Sequence, residues 1–333
     1  MYELRQNIAT REWVIIATGR SQRPKELSGP SRPSTDGRPE WVAECPFCPG
    51  NEEPELELMR IPDEGPWQAR VIRNKYPALQ REGERKCTLN GMHRRTSGVG
   101  YHEVLIESPH HNTTPALQAP EEVTRVLDVF RCRGRAIAED PRVEHVIYFK
   151  NHGPRAGTTL THPHAQLAGL PVVPHNIRVR AREARRHFDD TGECVYCRMR
   201  TDALQEESRI VVKTDRFAAF VPYAACSPFH MWVVPRRHES SFLSATRQEL
   251  IHLGLVLRRV LRKLYVGLHD PDYNYIIRSA PIKDVGRRYL HWYAAIIPRV
   301  TRSTGFELGT GVFINTSLPE RSAEFLRSVD EDV

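Results

Sequence analysis

The spacing of apolar and polar residues predicts short strands and two long helices, arranged in the same order in each half of the chain. Strand-like runs occupy four stretches, at His102–His111, Val143–Lys150, His230–His238 and Tyr273–Arg278. Apolar residues recur at helical spacing over Pro120–Asp140 and again over Thr246–Gly267. This mixture of strands and single long helices is typical of an α+β protein.

The second half of the sequence repeats the signals of the first half. Each half begins with a Cys-x-x-Cys pair, continues through strand, helix and strand, and ends on a strand that contains histidine. The interval from His162 to His291 is 129 residues, and the interval from His164 to Tyr293 is the same. We therefore predict an α+β fold of two tandem units, each an antiparallel sheet with one long helix. The predicted domains are residues 1–172 and 173–333.

The composition and net charge of the chain limit the kinds of partner that it can bind. The 333 residues include 48 Lys and Arg against 41 Asp and Glu, a formal charge of +7, which suits either nucleic acid or a small phosphate-bearing substrate. The basic residues form no patch interleaved with aromatic residues, which argues against a nucleic-acid partner. No apolar run is long enough for a membrane span and the N-terminus lacks a secretory pattern, so we expect a cytoplasmic protein without a membrane partner.

Four of the seven cysteines lie in the two Cys-x-x-Cys pairs, and each pair is followed by similarly spaced histidines. A Cys-x-x-Cys pair can be redox-active or can supply half of a metal site, and the repeated histidines favour metal. The two predicted zinc sites are Cys45, Cys48, His111 and His162, and Cys194, Cys197, His238 and His291. His110 competes with His111 as a ligand. A closed Cys2His2 set predicts structural zinc, about two ions per chain.

His164 is the candidate reacting group. On a strand, His162 and His164 would lie on the same face, so a metal on His162 would hold His164 rigidly. The glycine- and threonine-rich segment Asn151–Thr161 precedes them, and its backbone N–H groups could approach phosphate oxygens. This combination predicts phosphoryl or nucleotidyl transfer through histidine. Because Tyr293 stands at the equivalent position of the second half, we expect one chemical centre per chain.

Several ordered motifs together resemble the galactose-1-phosphate uridylyltransferase family of the histidine-triad superfamily. They are ECPFCPGNE at residues 44–52, RNKYPAL at 73–79, HEVLIESPHH at 102–111, HPHAQ at 162–166 and GFELGTGVFIN at 305–315. The resemblance implies two histidine-triad-like units, a homodimer and a ping-pong reaction. In that reaction His164 attacks the α-phosphorus of a nucleotide sugar, a nucleotidyl-histidine forms, and a phosphate-bearing acceptor then takes the nucleotide.

The resemblance also implies roles for further residues. Gln166 would hydrogen-bond the phosphoryl group, while other matched positions would contact the nucleotide, its phosphates or the sugar. The implied nucleotide contacts are Arg23 and Asn74, the phosphate contacts are Asn151, Gly157 and Thr158, and the residues near the sugar are Phe306, Glu307, Gly309 and Gly311. Ala165 and Tyr293 depart from the family pattern, which leaves the identity of the nucleotide and sugar open.

Three readings remain at this point. The first is a hexose-1-phosphate uridylyltransferase that uses UDP-hexose and a sugar 1-phosphate. The second is the related ADP-glucose phosphorylase chemistry, with inorganic phosphate as acceptor, or a dinucleoside polyphosphate phosphorylase. The third is not an enzyme: a zinc-stabilised nucleic-acid-binding module, or a purely structural protein. The third reading gives no reason for His164 to lie two residues from Gln166.

Overall fold

The computed structural model describes residues 2–20, 34–301 and 304–331. The helices are α1 (Pro120–Ala138), α2 (His175–Thr191), α3 (Val195–Glu206), α4 (Arg247–Leu268), α5 (Gly305–Thr310) and α6 (Pro319–Ser328). The strands are β1 (Tyr2–Gln6), β2 (Trp13–Ala17), β3 (Glu57–Ile61), β4 (Ala69–Arg73), β5 (Cys87–Asn90), β6 (His93–Thr96), β7 (Tyr101–Ile106), β8 (His145–His152), β9 (His164–Leu170), β10 (Ile210–Lys213), β11 (Phe217–Phe220), β12 (Met231–Pro235), β13 (Tyr273–Arg278), β14 (Tyr293–Pro298) and β15 (Phe313–Asn315).

Ten of these strands form one antiparallel sheet. Their order is β10-β11-β12-β14-β13-β8-β9-β7-β4-β3. The five strands from the first half occupy one side of the sheet and the five from the second half the other. The halves join where β8 pairs with β13, so that Tyr273 lies opposite His152. The predicted α+β fold with two repeated antiparallel units is confirmed, and the repeats share one continuous sheet. The boundary between residues 172 and 173 stays a prediction.

Two smaller sheets complete the fold. β1 pairs with β2 in antiparallel fashion, and β15 from near the C-terminus joins β2 in parallel. β5 and β6 form a separate exposed hairpin. The first of these sheets links the two ends of the chain, a connection that the repeat pattern does not contain.

The two long helices pack side by side on one face of the large sheet, as the repeat predicts. α4 begins with a capping box, in which Glu249 N–H donates to the Thr246 hydroxyl and the Glu249 carboxylate accepts from Thr246 N–H. Gly254 of α4 lies so close to Thr124 of α1 that any β-carbon there would overlap the threonine side chain. Leucines of α4 and apolar residues of α1 share the largest buried cluster with the inner face of the sheet.

Successive side chains of β7 point to opposite faces of the large sheet. Leu105 points into the helix-covered core, whereas Val104 and Ile106 pack with Cys45 and Phe47 on the opposite face. The cysteine and histidine motifs therefore lie on the face away from α1 and α4. In the second half, Cys194 and Tyr196 likewise belong to a separate cluster outside the main core.

Three predicted strand boundaries are wrong in detail. β7 ends at Ile106, short of His111, and β12 ends at Pro235, short of His238. β9 begins at His164, so His162 lies in the preceding bend and not on the strand. Pro163 has no N–H for the ladder, although its carbonyl still accepts from Glu107 N–H. The ligand histidines thus sit on turns that follow or precede strands.

The helix predictions agree with the structure to within two residues at each end. No helix in the described ranges is both long enough and apolar enough to cross a lipid bilayer.

Candidate active site and metal clusters

The first cysteine and histidine set converges as predicted. The four ligand atoms of Cys45, Cys48, His111 and His162 lie within 4.8 Å of one another, and all four residues are buried. The Cys48 Sγ is 3.6 Å from Nδ1 of each histidine. His110 is excluded from this cluster, since its Nδ1 lies 2.7 Å from the Glu40 carboxylate on the surface.

The second set converges in the same way. The ligand atoms of Cys194, Cys197, His238 and His291 also lie within 4.8 Å of one another. The Cys197 Sγ is 3.3 Å from Nδ1 of both His238 and His291. The two histidine pairs are arranged alike. The ring centroids are 5.3 Å apart for His111 and His162 and 5.1 Å apart for His238 and His291.

These distances suit a tetrahedral metal ion. Zinc bonds of the usual lengths to sulfur and nitrogen give a sulfur-to-nitrogen separation of about 3.6 Å across a tetrahedron edge. The outer ring nitrogens are also held in place. His162 Nε2 donates to the Ser108 carbonyl at 2.8 Å and His291 Nε2 to the Pro235 carbonyl at 3.2 Å. Those bonds leave each Nδ1 lone pair directed at the cluster, so the donor set fits zinc.

His164 is held in one tautomer. Its Nδ1 lies 2.8 Å from the His162 carbonyl oxygen, and because a carbonyl can only accept, Nδ1 carries the proton. The Nε2 lone pair makes no hydrogen bond within the described ranges. Burial, followed by the positive charge of Lys150, lowers the pKa of His164 to about 4. Phe47 packs edge-on against the imidazole at a centroid distance of 5.4 Å. The result is a neutral imidazole with one unshared nitrogen.

Gln166 is oriented by a residue that sequence reasoning missed. Ala78 N–H donates to His102 Nδ1 at 3.1 Å, so the proton of His102 is on Nε2. That Nε2 donates to Gln166 Oε1 at 2.8 Å, which leaves the Gln166 NH2 group without a partner in the part of the chain described. Asn74 lies alongside, with its Oδ1 accepting from Tyr76 N–H at 2.8 Å.

The loop after β8 is positioned by the second half of the molecule. Asn274 of β13 donates to Asn151 Oδ1 at 2.8 Å and to the Ala156 carbonyl at 2.9 Å. Asp272 accepts from Arg155 N–H at 2.6 Å. Because Asn151 Oδ1 is used in this way, its NH2 group is the part available to a ligand. The histidine spacing gives no signal for Asn274 or Asp272, which follow from the β8 to β13 pairing.

Gly157 and Thr158 form the turn that closes this loop. Gly157 has φ of +91°, in the left-handed region that favours glycine, and its N–H donates to the Pro154 carbonyl at 3.0 Å. The Thr158 hydroxyl donates to the Leu160 carbonyl at 3.0 Å. The turn therefore depends on glycine at 157.

A buried ion pair lies beneath the histidine strand. Lys150 Nζ is 2.6 Å from the Glu107 carboxylate and 3.1 Å from the His164 carbonyl oxygen, and both side chains are almost fully buried. This lysine ties β8 to the main chain of β9 at the reacting residue. Its charge is compensated by Glu107, whose pKa burial nonetheless raises.

The remaining predicted site residues are not brought to His164. Arg23 lies outside the described residues. Phe306, Glu307 and Gly309 belong to α5, where Glu307 caps the helix by accepting from Thr304 N–H at 2.8 Å. Gly311 ends α5 with φ of +70°. Within the described ranges, no hydrogen bond or ion pair joins these residues to His164 or Gln166. Their roles near a sugar stay a prediction.

Known proteins resemble this chain along its whole length. Residues 1–174 match the model of the galactose-1-phosphate uridyl transferase N-terminal domain. An ADP-glucose phosphorylase from Arabidopsis thaliana is 35% identical, across 98% of this chain and 93% of its own. A galactose-1-phosphate uridylyltransferase from Thermotoga maritima is 27% identical over the full length of both chains. Among solved structures, an Arabidopsis ADP-glucose phosphorylase with bound ADP-glucose superposes with a TM-score of 0.83 at 32% identity, covering 99% of each chain.

Proposed function

The chain belongs to the galactose-1-phosphate uridyl transferase family and is a nucleotidyltransferase, and from that premise we propose that His164 carries the nucleotide between donor and acceptor. The observation that supports this most is the hydrogen bond from His164 Nδ1 to the His162 carbonyl. It fixes the neutral tautomer and directs an unprotonated Nε2 away from the strand. A nucleophile prepared in this way needs no separate base for the first step.

The proposed reaction has two displacement steps. His164 Nε2 attacks the α-phosphorus of a nucleotide sugar, and the bond to the bridging oxygen breaks so that sugar 1-phosphate leaves. In the imidazolium that forms, Nδ1–H still donates to the His162 carbonyl oxygen, and this hydrogen bond stabilises the positive charge. An oxygen of the phosphate-bearing acceptor then attacks phosphorus, the bond to Nε2 breaks, and the neutral histidine returns.

Two amide groups are proposed to stabilise the phosphoryl oxygens. His102 donates to Gln166 Oε1 and Asn274 donates to Asn151 Oδ1, and neither amide NH2 group has a hydrogen-bond partner among the described residues. Donors fixed before the reaction stabilise developing charge without reorganisation, and one such donor is worth roughly 3 kcal/mol.

Two donor and acceptor pairs are candidates. Hexose-1-phosphate uridylyl transfer, with UDP-hexose and a sugar 1-phosphate, is supported by the matching family model and by the Thermotoga relative. Adenylyl transfer from ADP-glucose to inorganic phosphate is supported by the higher identity to the Arabidopsis phosphorylase and by its TM-score of 0.83.

A product assay distinguishes the two reactions. The protein is incubated with UDP-glucose plus galactose 1-phosphate, and separately with ADP-glucose plus inorganic phosphate, and glucose 1-phosphate release is measured. We expect release beyond one equivalent per chain in at least one mixture, dependent on the acceptor, and none with His164→Asn. If both mixtures are inactive, the proposed substrate class is wrong.

We propose that the two ligand clusters hold zinc. With all four positions filled by protein, the ion would supply rigidity, and the chain's own groups would perform the transfer. Elemental analysis should give about two zinc ions per chain, falling to about one in Cys194→Ser. Fewer than one ion per native chain would contradict the assignment.

We further propose a cytoplasmic homodimer, on the family resemblance alone. Light scattering after size exclusion should give twice the mass of one chain. A single-chain mass would contradict the dimer and leave the chemistry unaffected.

A further inference from the structure

The second half of the molecule contains a pocket at the position that corresponds to the active site. Tyr293 occupies the place of His164, and Tyr196 occupies the place of Phe47, since each follows its first cluster cysteine by two residues. The separation of the two ring pairs is similar, although the rings are edge-on in the first pair and tilted in the second. The ring centroids of Phe47 and His164 are 5.4 Å apart, and those of Tyr196 and Tyr293 are 5.3 Å apart. The pocket thus lies where the repeat places the counterpart of the reacting site, with tyrosine in place of the nucleophile.

Two arginines line this pocket. Arg180 of α2 donates from Nη1 to the Tyr293 hydroxyl at 3.0 Å, and Arg278 is the last residue of β13. The Nε of Arg278 is buried and has no hydrogen-bond partner among the residues that the structure describes. In the described ranges, no carboxylate lies within ion-pair distance of Arg278, whereas Glu12 lies 3.5 Å from Arg180. The two guanidinium groups and one carboxylate leave one positive charge in excess.

Arg278 is half-buried as a residue, and leaving its buried Nε–H without an acceptor is unfavourable. Burial lowers the pKa of Arg278, and the neighbouring charge of Arg180 lowers it further. Arginine nevertheless stays charged at neutral pH, so the excess charge and the unpartnered Nε–H favour an anion at this position. Guanidinium groups pair well with tetrahedral oxyanions through parallel N–H donors, and the Tyr293 hydroxyl adds another polar group. The cavity volume is about 30 Å³, the scale of one small ion and not of a nucleotide.

We propose that Arg180, Arg278 and Tyr293 form a non-catalytic site for a phosphate group, supplied either by inorganic phosphate or by a sugar phosphate. The site is separate from the reacting histidine. β9 and β14 are separated by β8 and β13, which places them about 14 Å apart across the sheet. Three successive antiparallel pairings also make β14 run opposite to β9, so that His164 and Tyr293, the first residues of these strands, lie at opposite ends.

The test compares phosphate binding by the native protein and by Arg278→Gln. Equilibrium dialysis with radiolabelled inorganic phosphate, at constant ionic strength in chloride, counts bound phosphate per chain. Because the active site is identical in both proteins, the difference between them reports this pocket even if the proposed reaction is wrong. We expect Arg278→Gln to lose one bound phosphate per chain, or at least tenfold in affinity. The exposed Arg287, substituted as Arg287→Gln, is the matched control and should bind as the native protein does.

Competition identifies the source of the phosphate group. If unlabelled glucose 1-phosphate displaces the label that depends on Arg278, the site accepts a sugar phosphate. If only inorganic phosphate displaces it, the site excludes the sugar. Either result supports the proposal, whereas equal stoichiometry and affinity in native protein and Arg278→Gln would overturn it.

Thermal unfolding without phosphate tests whether Arg278→Gln loses phosphate binding only because Arg278 has a structural role. Removing an uncompensated charge should leave the Tm of Arg278→Gln unchanged or raised. A lower Tm accompanied by subunit dissociation in light scattering would instead assign Arg278 to an ion pair between subunits, and would overturn the phosphate site.

Discussion

His102 Nε2 donates a hydrogen bond to Gln166 Oε1 across 2.8 Å, and this contact decides which end of the glutamine amide faces away from the sheet. In His102→Leu the amide can rotate and present its oxygen to the phosphoryl group. We expect nucleotidyl-enzyme formation to slow by roughly tenfold, about the worth of one neutral hydrogen bond. Rapid-quench measurement of sugar 1-phosphate release checks this.

The exposed His93→Leu on β6 is the matched control and should retain the native rate. A double-mutant cycle gives the sharper test, because His102→Leu should have little further effect in a Gln166→Ala background. If the rate reductions caused by the two single substitutions multiply in the double variant, His102 does not act through Gln166.

Asn274 provides a second positioning contact, from the second half of the chain to the loop of the first. Asn274→Leu keeps the side-chain size but removes the donors to Asn151 Oδ1 and to the Ala156 carbonyl. We expect KM for the nucleotide sugar to rise by roughly tenfold, because Asn151 loses its fixed orientation. Steady-state kinetics measure the change, with the exposed Asn90→Leu as control. An unchanged KM would show that Asn151 is oriented without Asn274.

The Lys150 and Glu107 pair should be essential for stability. Glu107→Leu leaves the Lys150 charge buried and unpaired, which we expect to reduce the free energy of unfolding by about 3–5 kcal/mol. The double variant Glu107→Leu/Lys150→Met removes both charges and should recover most of that loss. Urea unfolding gives the values, and Glu53→Leu, which breaks a surface pair with Lys75, should cost much less than Glu107→Leu because solvent screens that pair. Equal losses in the single and double variants would contradict the argument.

Because His145 is buried, we expect the free energy of unfolding to fall as the solution becomes more acidic. Burial, followed by the charge of Arg278, lowers the pKa of this histidine to about 4, and within the described ranges its Nδ1 has no hydrogen-bond partner. The unfolded chain binds a proton below about pH 6.5, whereas the folded chain does not until about pH 4, so stability present above pH 6.5 falls as the pH drops between these values. Between pH 7.5 and pH 5 the native protein should lose about 2 kcal/mol more than His145→Gln. Equal pH dependence in urea unfolding would exclude this role.

Much of the architecture could be predicted because the chain is duplicated. The same order of cysteines and histidines occurs in both halves, which predicts that His111 and His162 share a site with a distant Cys-x-x-Cys pair. The structure brings all four residues together. The starts of the two long helices were also predictable, because Pro120 and the Thr246 capping box are local signals that lie within a single helical turn.

What the sequence could not supply depends on contacts between the halves. The pairing of β8 with β13 brings Asn274 to Asn151, yet neither residue's neighbours in the chain indicate it. The strand boundary at His164 was also missed, because a proline that cannot donate its N–H ends the ladder although the hydrophobic pattern continues. The orientation of Gln166 by His102 likewise needs the register of β7 against β9.

The proposed reaction requires that a nucleotide becomes covalently bonded to His164. Intact-mass spectrometry after mixing with UDP-glucose or ADP-glucose, without acceptor, should show a mass increase of one nucleoside monophosphate. The increase should be absent in His164→Asn and retained in His93→Asn. Label that persists in His164→Asn, or native protein that neither sugar nucleotide labels, would contradict the account.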